Sequence, residues 1–140
     1  MRLAPYLVFG MLLLAGCASP GPSPSVVAPP PAAEFTQVGL ASWYGKDHDG
    51  KTTASGERFQ MKAMTAAHRS LPFGTIVRVT ALATGRSVNV RINDRGPYVG
   101  GRIIDLSAAA AARLGAREDG SFRVRLEVFP ADQTVARPVP

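Results

Sequence analysis

The sequence predicts a mainly β fold, a small closed barrel of five or six strands with one short helix, and three observations predict it. Val88, Val90 and Ile92 alternate with Asn89, Arg91 and Asn93, as Phe122, Val124, Leu126 and Val128 do with Arg123, Arg125 and Glu127. A period of two is what a half-buried strand requires. Gly-rich turns separate such runs, and a single stretch, Ser107 to Leu114, reads as helix. The pattern occupies about 93 residues, Val38 to Pro130, a length that suits one core.

The segments before the barrel read as an address and a spacer. The chain has 140 residues, 46% apolar, with 14 Gly, 12 Pro, one Cys and a formal charge of +6. One Cys excludes an internal disulfide framework and any zinc site built from several thiolates. Arg2, the apolar run Leu3 to Ala15 and the small residues up to Cys17 form the pattern of a secretory signal. The run is shorter than the roughly twenty residues a spanning helix needs. Leu14-Ala15-Gly16-Cys17 resembles the bacterial lipoprotein cleavage box, in which the Cys becomes the lipidated first residue. That resemblance implies a signal at 1–16, a lipid anchor at Cys17 and, with Ala18 and Ser19 following, the periplasmic face of the outer membrane. Stable anchoring takes a second acyl chain. Removing the signal removes Arg2, so +6 less one leaves +5. An exported lipoprotein meets no nucleic acid, and an anionic envelope polymer is the simpler partner for a scattered positive charge.

Residues 17–37 are expected to be the lipidated Cys and a disordered linker, since half of the prolines fall between residues 18 and 37. Proline at that density blocks ladder and helix hydrogen bonds and favours an extended tether of roughly 60 Å. The barrel domain is expected over 38–130. Its candidate strands are Gly39 to Tyr44, a short piece near Met64 to Ala66, Ile76 to Thr80, the Val88 run, Arg102 to Leu106 and Phe122 to Val128. The helix has Ser107 as N-cap, an alanine run, Arg113 near its end and Gly115 as its stop. Residues 131–140 read as a frayed tail.

Few side chains are available for catalysis. With Cys17 lipidated no thiol remains, only His48 and His68 are imidazoles, and no nucleophile-elbow pattern accompanies a Ser. Carboxylates are left. If the parity of Val88, Val90 and Ile92 continues, Asp94 points to the apolar side at a strand end, where desolvation raises a carboxyl pKa towards that of a general acid. Organising the Arg95-Gly96-Pro97 turn through an Asx hydrogen bond is the equal alternative, since a turn or bulge reverses parity. Asp105, between Ile104 and Leu106, suits helix capping or an Arg partner better than chemistry. Glu57 in Thr53-Ala54-Ser55-Gly56-Glu57 reads alone as a solvated loop residue, and His68 reads alone as a structural histidine. Trp43-Tyr44 is either core or an aromatic platform for a sugar ring.

Their arrangement adds what single residues lack. Gly39-Leu40-Ala41-Ser42-Trp43-Tyr44-Gly45, Thr53 to Glu57, Thr65-Ala66-Ala67-His68 through Leu71-Pro72-Phe73-Gly74-Thr75, Gly85-Arg86-Ser87-Val88, Val90 to Pro97, and Arg102 to Ser107 follow one another across the barrel. In this order they resemble the rare lipoprotein A (RlpA) family. The resemblance implies a six-stranded double-psi β-barrel with an open groove, shared with expansins, and a lytic transglycosylase that cleaves peptidoglycan glycan strands, with a preference for peptide-free ones. It implies Asp94 as catalytic acid, assisted by Glu57 and His68, with Trp43, Tyr44, Arg95 and Asp105 lining the substrate. No metal or cofactor is implied, and a monomer is expected. The chain departs from the family at His48-Asp49-Gly50, where many members carry Phe-His-Gly, so His48 is assigned no role. Many members also continue into a septum-targeting SPOR domain; here the sequence stops ten residues past the barrel, so recruitment by that route is not expected. The competing expectation is an expansin-like module that binds polysaccharide without cleaving it.

Overall fold

A computed structural model describes residues 31–131, with Gly16 and Gly21 as isolated positions. The export signal, Cys17, most of the Pro-rich segment and the tail beyond Ala131 lie outside the described residues.

Six strands form where the alternating runs lie: β1 (Phe35–Trp43), β2 (Thr65–His68), β3 (Ile76–Ala81), β4 (Ser87–Asp94), β5 (Arg102–Leu106) and β6 (Phe122–Val128). They close a barrel in the order β1-β5-β2-β4-β3-β6. Two pairings, β1 with β5 and β2 with β4, are parallel, and the other four are antiparallel. Closure leaves no strand with an unpaired edge, which removes a template for aggregation.

Alternation fills the interior. Val77, Val79 and Ala81 from β3, Val88, Val90 and Ile92 from β4, Ile104 and Leu106 from β5, and Val124 and Leu126 from β6 make the buried cluster. Each such side chain contributes roughly 1.5–3 kcal/mol through the apolar surface it removes from water. β1 and β2 contribute only Ala41 and Ala66 to that cluster, and their small side chains leave room for the branched residues opposite.

Helix α1 (Ala108–Arg113) follows β5 directly and rests Ala110 against the cluster, with Leu114 just beyond its end. Its ends are those the sequence predicts. The Ser107 hydroxyl accepts a hydrogen bond from the Ala110 amide at 3.2 Å. The Ala116 amide donates to Ala111 O and the Gly115 amide to Ala112 O, each at 3.0 Å, with Gly115 at φ 70. That pair of bonds is a Schellman stop, and its left-handed residue favours glycine.

Two boundaries differ from expectation. β1 begins at Phe35, so Phe35, Thr36 and Gln37 are strand and not tether. Pairing explains it: Phe35 faces Val128, Gln37 faces Leu126 along β6, and the Phe35 ring packs on the core. β2 runs on to His68, two residues past the expected piece, because Ala67 and His68 pair with Asp105 and Ile104 of β5.

Ile104 is fully buried beside the β1–β5 register shift. Ile104→Ala is expected to lower the unfolding free energy by about 2–5 kcal/mol, read as a lower urea midpoint at constant denaturant dependence.

Candidate active site

One extra residue decides which way the best candidate acid faces. Along β2 and β4, Ala66 pairs with Ile92, but Ala67 pairs with Asp94, so Asn93 is an unpaired bulge residue. Ala66 and Ile92 belong to the core cluster. Their successors in the ladder, Ala67 and Asp94, therefore sit on the opposite face. Asp94 does not continue the apolar parity of Val88, Val90 and Ile92; the bulge turns it away from the core and leaves it half-buried. Asn93 is buried at 3% exposure with its Nδ2 turned towards the 53–57 loop, 3.4 Å from Glu57 Oε2.

The row continues sideways. Ala67 also pairs with Asp105 of β5, and Asp105 pairs with Ser42 of β1. Asp94 and Asp105 thus flank Ala67 on one face, with backbones two strand spacings, roughly 10 Å, apart. Asp105 is buried and held by Arg102, whose Nε donates to Asp105 Oδ1 at 3.2 Å and whose Nη2 also binds it. It binds an Arg and does not cap α1, which Ser107 does.

Asp94 is fixed from three sides. Its Oδ1 accepts the Ala54 amide at 2.9 Å and the Arg95 amide at 2.8 Å, and the Tyr44 hydroxyl donates to Oδ2 at 3.4 Å. The contact within the turn is to the Arg95 amide, one residue on, and not to the amide two residues on that defines an Asx turn, while the other oxygen faces Tyr44. Burial, followed by the negative charges of Asp94 and Asp105, pushes the Tyr44 phenol above its ordinary range, so it stays protonated. The Tyr44 ring lies 5.2 Å from Phe59 and 4.9 Å from the exposed His48. His48, which the sequence left without a role, is one wall of this aromatic group. Trp43 differs from its neighbour: it packs against the core, with the Arg117 guanidinium 5.7 Å from its ring.

Glu57 lies on the loop that reaches Asp94. The loop is tied down by the Ala54 bond and by the Ser55 amide, which donates to Asn93 O at 3.2 Å. Arg91 donates to Glu57 Oε1 at 2.6 Å and to Oε2 at 2.8 Å, and Asn93 Nδ2 adds a contact at 3.4 Å. The Arg91 hydrogen bonds hold the Glu57 carboxyl below the usual range, so it is an anion. Glu57 is thus brought near the Asp94 loop, as a fixed negative charge.

His68 and Arg95 are built into the scaffold. His68 is buried, with Nδ1 accepting the Ser70 and Leu71 amides at 3.1 Å each and Nε2 against Gln37 Oε1 at 3.0 Å. Two amide donors fix Nδ1 as the acceptor, so the proton is on Nε2. Burial, then Arg95 and Arg69, hold its pKa below the ordinary value. Among the described residues no hydrogen bond joins His68 to Asp94 or Glu57, and it shares a strand face with Ala66, not Ala67. Arg95 Nη1 donates to Leu71 O at 2.8 Å and His68 O at 3.3 Å, and its guanidinium sits 3.9 Å over the Phe73 ring. Arg69 returns the exchange, binding Pro97 O, Val99 O at 3.2 Å and Arg102 O at 3.5 Å. Arg69, Arg91, Asn93 and Gln37 also carry this geometry; the first three lie within the family-like motifs but have no role predicted there, and Gln37 falls in the expected tether.

Residues 36–126 match the family model described as lytic transglycolase. The chain belongs to the lytic transglycolase family. A probable endolytic peptidoglycan transglycosylase RlpA of Synechocystis sp. is 59% identical over 90 residues, covering 64% of this chain and 28% of that protein. An endolytic peptidoglycan transglycosylase RlpA of Neisseria meningitidis serogroup A is 55% identical over 102 residues, covering 73% of this chain and 43% of that protein. The chain therefore spans less than half the length of these relatives. A mutant Clavibacter michiganensis expansin, solved in complex with cellohexaose, aligns at a TM-score of 0.54 and 25% identity, covering 69% of this chain and 52% of that one. The six-stranded double-psi β-barrel expected from the resemblance is the fold observed.

The family scaffold makes His68 a stability element with a defined pH signature. Its folded pKa is lowered, so below about 6.5 the unfolded chain takes up a proton that folded His68 resists, and stability falls as pH falls. Urea titrations between about pH 7.5 and 5 should show a shallower acid loss for His68→Asn than for the parent; equal slopes would contradict the assignment. Independently, carbon-detected NMR should place the Glu57 carboxyl below the ordinary glutamate range, and Arg91→Ala should raise it.

Proposed function

We propose that the chain is a lytic transglycosylase of the bacterial cell envelope, cleaving bonds between N-acetylmuramic acid and N-acetylglucosamine in peptidoglycan strands to leave 1,6-anhydromuramoyl ends. The observation that carries this reading is the Asp94 carboxyl, with Oδ1 fixed by two amides, Oδ2 directed to a phenol and no cation paired to it among the described residues. The family membership and the transglycosylase relatives support the same reaction class. Peptide-free strands are the preferred substrate on this reading, and Cys17 is the lipid anchor to the outer membrane.

The proposed chemistry uses one carboxyl twice. Protonated Asp94 donates to the glycosidic oxygen as the bond to muramoyl C1 breaks through an oxocarbenium-like state. The resulting carboxylate then takes the proton of the muramoyl 6-hydroxyl, whose oxygen closes onto C1. Atoms balance without water, and the intramolecular attack has the effective-molarity advantage a diffusing water lacks. The Tyr44 hydroxyl can donate to Oδ2 when Asp94 is ionised and turn to accept when it is protonated. Glu57 is excluded as a second acid by its bidentate Arg91 pair, and Asp105 is held by Arg102. Glu57 instead holds the loop that donates the Ala54 amide, a positioning role. The second reading, polysaccharide binding without cleavage, is favoured by the cellohexaose-bound expansin alone.

Incubating the chain with denuded glycan strands and analysing the products by mass spectrometry tests the proposal. The expected products carry 1,6-anhydro ends, and Asp94→Asn lowers the rate by at least about a hundredfold while keeping strand binding. Binding with no anhydro product from the parent leaves the expansin-like reading. Tyr44→Phe, which removes the Oδ2 partner, should lower kcat by about tenfold with KM little changed.

A further inference from the structure

The segment after Asp94 carries a feature that none of the assignments above uses. Tyr98 is 76% exposed, the most open large apolar side chain among the described residues, and Val99 beside it is 55% exposed. An aromatic ring in water on a mobile loop would carry little meaning, since single exposed apolar residues are normal. This loop is held. Arg69, projecting from the end of β2, binds the carbonyls of Pro97 and Val99, the residues on either side of Tyr98, and reaches Arg102 O. Arg95, at the start of the loop, binds back to His68 O and Leu71 O, with Phe73 beneath its guanidinium. Two arginines thus lace the loops at 68–73 and 95–102 to each other. The ring itself rests over Gly96: its Cδ2 and Cε2 lie 3.8 Å from where a Cβ on that residue would sit. Gly96 has φ 117, a conformation that favours glycine, so the ring has bare backbone under it.

We propose that Tyr98 is a preorganised stacking platform that holds one hexopyranose ring of a glycan strand next to the bond addressed by Asp94. The proposal rests on the transglycosylase reading for the identity of the strand, and it adds a binding subsite to it. A pyranose ring presents a face of C–H groups, which matches the negative π face of an aromatic ring. The scale fits a sugar better than a protein: stable protein interfaces bury about 800 Å² per partner, whereas one Tyr ring flanked by Val99 covers about one sugar ring. Tyr98 lies on the Arg95-Gly96-Pro97 side of Asp94, and the Tyr44 group approaches Asp94 Oδ2. Fixing a ring on the loop that follows Asp94 gives the strand its position beside that carboxyl without contacting the reacting atoms. Because the loop is already ordered, stacking does not have to bear the entropy of ordering it.

Binding is measured in the Asp94→Asn chain, which keeps strands intact, using purified denuded glycan strands as the probe. Tyr98→Ala on that background should weaken strand binding about tenfold, and Tyr98→Phe should hold it within about twofold. In the cleaving parent, Tyr98→Ala should raise KM with kcat nearly unchanged. NMR of the Tyr98 ring protons during titration with strands reads the contact directly and needs no variant that must fold. Undisturbed ring signals, equal affinity for Tyr98→Ala, or no binding by the Asp94→Asn chain overturns the proposal. So does a Tyr98→Ala change confined to the oligomeric state, which would make the patch a contact between copies. Strand binding through Tyr98 with no anhydro product from the parent leaves the platform standing and removes the catalytic reading instead.

Discussion

The unpaired residue Asn93 is the constraint on which the rest of the site depends. Without it the parity of β4 would carry Asp94 into the barrel interior beside Ile92, where a carboxyl without partners is costly and useless. With it, the bulge turns the carboxyl outward into line with Ala67 and buries Asn93 beneath the 53–57 loop. The bulge also exposes Asn93 O and Nδ2 to the 53–57 loop, so the Ser55 amide and Glu57 both find partners on the bulged residue. A local irregularity in one ladder therefore aims the candidate acid and docks the loop that completes its surroundings.

Around this point the charged groups divide by what holds them. Glu57 is paired with Arg91 and Asp105 with Arg102, while Arg95 and Arg69 donate to backbone carbonyls of each other's loops. Asp94 has amides and a phenol but no cation paired to it among the described residues. This asymmetry separates the candidate acid from the other carboxylates more clearly than proximity does. Glu57, locked to a guanidinium, is held as an anion, whereas Asp94 meets only neutral donors, one of them a hydroxyl that can also accept.

Much of the fold is legible in the sequence because its cause is local. Alternation along β4 and β6, the Ser107 cap and the Gly115 stop each act within a few residues, and the elements form where these signals lie. The start of β1 is not legible locally: Phe35 and Gln37 are strand because Val128 and Leu126, some ninety residues on, pair with them. That error hid the partner of His68, since Gln37 read as tether cannot be seen as the group that engages Nε2. Residue types nominated Asp94, Tyr44 and Glu57, which the fold does gather. They also nominated His68 and Arg95, whose polar atoms the fold consumes in fixing loops. His48 stands against Tyr44, four residues earlier, through the turn at Lys46–His48, a local contact that shows only once that turn is placed.

In the proposed reaction one carboxyl, aimed outward by one extra residue, carries out both proton transfers, with no water entering the bond that breaks. Cleaving denuded strands in water labelled with heavy oxygen tests that claim most directly. The expected products are anhydro ends that carry no label from the first turnover onward. Incorporation of one labelled oxygen per cleaved bond would show that water attacks C1, and would require a second group to activate it.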